Sequence, residues 1–274
     1  IIIDDRVRLA AVTVGPSDWC EKLPLDLLDT SSLSAAERDQ LARAWSERAQ
    51  YEHASIAAFA EIGMTLLAYG APARLVARSQ AAMADELRHA RLALGCASLA
   101  SATPLGFGTI DLQRVAAAPS LEQALIAAVI EGCVGETVAA LELAAYAAEA
   151  RTEALRSSLG NVAREESEHA ALAWAFVAWG LCKAGSDAPS LRARLASAFE
   201  VACEEILRKQ DEQLPPAIGG GRGFLSTARR PFLRMARRNR LRTWRSSLGT
   251  PSPSRLLIRV LAFWWPKITW STKQ

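Results

Sequence analysis

The chain has 274 residues, enough to bury a substantial core, and half of them are hydrophobic although only 7% are aromatic. Five cysteines (Cys20, Cys96, Cys133, Cys182, Cys203) form no Cys-x-x-Cys pair, which argues against a disulfide framework or a zinc ribbon and fits a reducing, cytoplasmic compartment. The net charge of +3 conceals a division. No Asp or Glu follows Glu212, while residues 213–274 carry eleven Arg and two Lys, leaving 19 basic against 29 acidic residues in 1–212. No run of about eighteen apolar residues occurs, so no membrane-spanning helix is expected. The chain opens on Ile1, so the start is expected to be incomplete and the lack of a signal peptide carries no weight.

Alanine, leucine, glutamate and arginine dominate, and these are strong helix formers, so an all-α fold is expected. Residues 1–33, broken by Pro16 and Pro24, read as an extended and irregular segment. Ser34-Ala-Ala-Glu37 is a capping box opening a first helix to about Tyr69. Gly70-Ala71-Pro72 stops it and starts a second, to about Leu99, with Pro72 in the first turn. A loop with Thr103-Pro104 and Gly106-Phe107-Gly108 follows, ending near Pro119. Ser120-Leu-Glu-Gln123 caps a third helix to about Glu149, Thr152 a fourth to about Gly185, and Ser190 a fifth, shorter one that stops before Pro215. Two helix pairs with short internal turns and a longer crossover predict a four-helix bundle over 34–212 with an added short helix. Residues 213–274 read as a basic, irregular tail.

Two of the three histidines end a Glu-x-x-His, Glu86 to His89 and Glu166 to His169. On a helix, positions i and i+3 project from one face about a turn apart, so carboxylate and imidazole address one metal ion. Chance would deliver this about once in a hundred sequences of such acidity. The two motifs also sit in a local repeat, Asp85-Glu-Leu-Arg-His89-Ala-Arg-Leu-Ala against Glu165-Glu-Ser-Glu-His169-Ala-Ala-Leu-Ala, each on the second helix of its pair.

A two-metal site needs one further carboxylate from each remaining helix. Glu52 falls in the otherwise apolar stripe Trp45, Ala49, Glu52, Ile56, Phe59, Gly63, Leu66, where a carboxylate requires a partner. The third helix offers Glu136, with Glu131 as its alternative, about 140° apart on an ideal helix. Glu136 lies about as far before the turn near Arg151 as Glu166 lies after it, and is preferred. Glu52, Glu86, Glu136 and Glu166 would balance two divalent ions, and the oxygen and imidazole donors suit iron or manganese. Asp85 and Glu165, each four residues before a histidine, are placed to accept the second ring N–H of that histidine or of the one across the bundle, with Arg88 and Arg164 placed to brace them. His53 points about 100° from Glu52 and reads as a surface or packing residue. Cys133, one turn from Glu136, and Trp45, Trp174 and Trp179 read as packing residues.

This pattern resembles the ferritin-like di-iron carboxylate superfamily, which includes bacterioferritins, rubrerythrins, manganese catalases, tRNA hydroxylases and bacterial monooxygenase subunits. The resemblance covers roughly residues 34–183. It implies a ferritin-like four-helix bundle in which Glu52, Glu86, His89, Glu136, Glu166 and His169 hold two iron ions, or manganese or a mixed pair, with one bridging carboxylate per Glu-x-x-His. It also implies reaction with O₂ or peroxide, a small organic substrate, an electron-donor protein and a homo-oligomer. The chain lacks a rubredoxin-type Cys pair, and Val162 stands where arylamine oxygenases carry an added histidine. Oxidoreductase chemistry is the leading expectation. Ferroxidase, storage or catalase-like detoxification is the first alternative, a non-catalytic interaction module the second, and RNA modification the third.

Residues 222–245 hold nine arginines, and 255–270 are rich in Leu and Trp. Three readings stand: a polybasic arm for nucleic acid or an anionic membrane, a disordered extension, or an out-of-frame read.

Overall fold

The computed structural model describes residues 2–3, 6–112 and 120–212. The basic tail lies outside the described residues. The protein is all-α with little strand, and its described residues divide into two compact units: those up to Ser120 with Ala150–Ser158, and Leu121–Glu149 with Leu159–Glu212.

The first unit is built on an antiparallel pair, α1 (Ala35–Ala68) and α2 (Ala73–Ser101). Ser34 caps α1 as its sequence suggests: the Glu37 N–H donates to Ser34 Oγ, and the Ser34 N–H to Glu37 Oε2 at 2.8 Å. Gly70, at φ +69°, ends it, with Gly70 N donating to Leu67 O and Ala71 N to Leu66 O, a left-handed termination that glycine enters without a Cβ penalty. Pro72 stands at the cap of α2, one place before the first turn.

The N-terminal segment is extended, as expected, but ordered against this pair. Strands β1 (Ile2–Ile3) and β2 (Arg6–Val7) form one antiparallel ribbon, and β3 (Val12–Val14) pairs with β4 (Leu105–Phe107). The expected loop after α2 therefore contains a strand. Gln50 Nε2 donates to Ala10 O at 2.6 Å, and Gly95 lets the segment lie close, since a Cβ there would stand 2.8 Å from Glu21 O. Ala49, Ala93, Leu94, Ala97 and Leu105 form a core against which Trp19, Trp45 and Phe107 pack.

In the second unit the expected single helix is one helical run in three parts: α3 (Leu121–Ala127), a π-helical stretch (Ala128–Glu136) and α4 (Thr137–Glu149). The stretch contains Gly132, Gly135 and three β-branched residues, a composition that resists α-geometry weakly at each position. Thr137 Oγ1 donates to Cys133 O at 2.7 Å and occupies a carbonyl of the widened turn. Leu121–Glu149 is also, among the described residues, the helix apolar and long enough to cross a membrane, a property shared with core helices and silent on location.

α5 (Glu153–Lys183) opens with the Leu155 N–H donating to Thr152 Oγ1. A 3₁₀ turn (Gly185–Asp187) runs straight into α6 (Ala188–Glu212), so Ser190 is not the cap the sequence suggested. It lies inside α6, where its hydroxyl accepts from Arg194 Nη1 at 2.7 Å.

Two glycines set how closely this unit packs. A Cβ on Gly132 would stand 2.5 Å from Ala173 Cβ, and one on Gly180 would stand 2.5 Å from Leu125 Cδ1. Alanine is the better helix former, yet Gly132→Ala is expected to destabilise by about 1–3 kcal/mol because a backbone-anchored methyl blocks it. Gly180→Ala should cost less, since it meets the flexible end of a leucine. Chemical denaturation of both variants measures the order.

Candidate metal centre

In the first unit the register of α1 against α2 decides which side chains meet. Ser79 Oγ donates to Phe59 O at 2.7 Å, tying the two helices at one level. Seven residues back along α1 is Glu52, and seven forward along antiparallel α2 is Glu86, so the two carboxylates fall at the same depth. His89 follows one turn later on the same face. Glu52, Glu86 and His89 each bring a ligand atom within 4.8 Å of the others, and they are 6%, 1% and 3% exposed. His89 Nδ1 lies 3.8 Å from Glu52 Oε2 and 4.0 Å from Glu86 Oε2.

The second unit repeats the arrangement. Gly132 meets Ala173 and Leu125 meets Gly180, an antiparallel register that keeps the same offset over seven residues on each strand of the pair. Glu136, Glu166 and His169 bring ligand atoms within 4.8 Å of one another, with Glu166 and His169 buried and Glu136 half-buried. His169 Nδ1 is 3.4 Å from Glu166 Oε2. Glu131 belongs to neither ligand group among the described residues. The π-helical backbone needs about one residue more per turn, so Glu131 and Glu136 are closer in direction than the 140° of an ideal α-helix.

These spacings fit a shared cation. Two donors about 2.1 Å from one ion stand roughly 3–4 Å apart, whereas N–H···O bonds are shorter, about 2.7–3.2 Å. Each unit thus holds a buried Glu/His cluster able to hold a metal ion.

No family model matches the chain, and no curated protein or solved structure matches it.

Around the triads, Asp85 ion-pairs with Arg88, and Glu165 Oε1 lies 3.3 Å from Arg164 Nη2, so each acid stands beside the arginine expected to brace it. Arg48 is a member the sequence reading missed: its Nε donates to Glu52 Oε1 at 2.6 Å. The signal was present as an i,i+4 charge pair on α1, but such pairs are common on helix surfaces. His53 is packed between rings, 4.8 Å from Trp19 and 4.4 Å from Phe107, and burial pushes its pKa down. That places it as a packing residue. Cys133 is fully buried, and burial pushes its thiol well up. Trp174 lies 6.0 Å from Phe199, and Trp179 stacks on Phe176, both as packing.

A divalent ion that binds the folded chain stabilises it by about 2.7 kcal/mol at one hundred times its dissociation constant, or roughly 5–10 °C in Tm for a domain of this size. Fe²⁺ or Mn²⁺ added to the metal-free protein should produce such a rise. Glu86→Ala and Glu166→Ala should each remove most of it, while Glu47→Ala, outside both triads, should keep it. Differential scanning calorimetry under anaerobic conditions measures the shifts.

Proposed function

We propose that the protein is a di-iron oxidoreductase that activates O₂ or peroxide and takes up its two iron ions through the two Glu/His triads. The observation that carries this reading is the repetition itself: a glutamate on one helix, buried in the first unit and half-buried in the second, and a buried Glu-x-x-His on its antiparallel partner, built twice in one chain. Charge supports a count of two ions. Glu52, Glu86, Glu136 and Glu166 bring four negative charges, which two Fe²⁺ ions neutralise, whereas four buried carboxylates alone would repel or take up protons. The ferritin-like arrangement of the sequence, one carboxylate per first helix and one Glu-x-x-His per second helix of each pair, supports the same pairing.

In this reading Glu52, Glu86 and His89 hold one ion, and Glu136, Glu166 and His169 the other. When bound and reduced, the ions supply the electrons that O₂ or peroxide takes up. The chain supplies the rest. The helical register fixes the donors, the alanine-rich surroundings exclude water, and Asp85 and Glu165 orient the imidazoles. The substrate class belongs to whatever reaches the centre, and a small organic molecule with an electron-donor protein is the arrangement proposed here.

Iron-replete protein should contain two iron ions per chain. Mössbauer spectra of the oxidised form should show a spin-coupled pair, with O₂ consumed on reduction. Metal-free protein, or ions that are magnetically independent, would contradict the reading. Turnover that consumes only Fe²⁺ as reductant would move the activity to ferroxidase.

A further inference from the structure

Glu52 divides its two oxygens between different partners. Oε1 accepts a 2.6 Å bond from Arg48 Nε, while Oε2 lies 3.8 Å from His89 Nδ1, on the side of the triad. Arg48 stands one turn before Glu52 on α1, with its side chain 21% exposed against 8% for Glu52. The guanidinium therefore reaches the carboxylate from the outer edge and remains charged at any pH the protein meets. A charge-assisted bond of this length is among the strong ones and holds the carboxylate in a single orientation.

We propose that Arg48 is a positioning residue that makes Glu52 a one-oxygen ligand, through Oε2, and so keeps a coordination position open at the ion held with Glu86 and His89. The inference rests on the metal centre proposed above. A carboxylate without such a partner can turn and chelate an ion with both oxygens, filling a position that O₂, peroxide or water would otherwise take. Arg48 prevents the turn by occupying Oε1. A metal that must react with an incoming molecule needs an open position, whereas a purely structural ion does not.

The test uses the full chain with Co²⁺, whose visible absorption reports coordination number and whose binding is followed by titration. Wild type, Arg48→Met and Arg48→Lys are compared. In Arg48→Met one of two cobalt ions is expected to bind about ten-fold or more weakly, the usual effect of removing a ligand's hydrogen-bond partner. The visible bands of that ion should lose intensity as Glu52 adds its second oxygen. Arg48→Lys, which keeps the charge but not the planar Nε–H, should show the same spectral change with a smaller loss of affinity. It preserves the test if the methionine variant does not fold. Cobalt spectra and affinities identical to wild type in both variants would overturn the role of Arg48 and leave the metal centre standing. A wild-type chain that takes up no cobalt would overturn the centre itself.

Discussion

A carboxylate taken out of water must be given a positive charge, a proton or a set of hydrogen bonds, and the two halves of this protein are organised around meeting that demand. Glu52, Glu86 and Glu166 are almost wholly buried, each beside a buried histidine. Such groups persist in a core only if the surrounding helices hold their partners in place. Here the holding is done by register: Ser79 against Phe59 in one unit, Gly132 against Ala173 in the other. Small residues at the contacts bring the helix axes close, and the same contacts fix which side chains stand level. Packing and site are one construction.

The amount of this that the sequence discloses follows from how local each feature is. Glu86 with His89, and Glu166 with His169, are visible because a helix places i and i+3 on one face whatever surrounds it. Glu52 is visible as the one acid in an apolar stripe, and Ser34 with Glu37 as a cap whose bonds close within four residues. Glu136 was found by counting outward from a turn, and the structure brings its ligand atom within 4.8 Å of those of Glu166 and His169.

Features that depend on tertiary contact were not legible. The π-helical stretch Ala128–Glu136 reads as ordinary helix in a pattern of period 3.6, because its extra residue per turn is accommodated by packing around Gly132 and by the Thr137 hydroxyl. The pairing of Val12–Val14 with Leu105–Phe107 joins segments far apart in sequence, which alternation over three residues cannot announce. Arg48 stands four residues before Glu52, yet Arg43 stands at the same distance before Glu47 on the same helix. Spacing alone does not separate a ligand-holding arginine from a surface pair. Ser190 shows the converse, a residue of capping type lying inside a helix that a 3₁₀ turn had already started.

The chemistry of the donors leaves the reaction open, since the same carboxylate and imidazole set serves oxygenation, iron oxidation and peroxide removal. The proposed centre requires two ions, one at each triad. Crystals grown with Fe²⁺ and measured at the iron absorption edge address this directly. The expected result is two anomalous peaks, one beside Glu52, Glu86 and His89 and the other beside Glu136, Glu166 and His169. Iron at only one triad, at neither, or only on the protein surface would contradict the account.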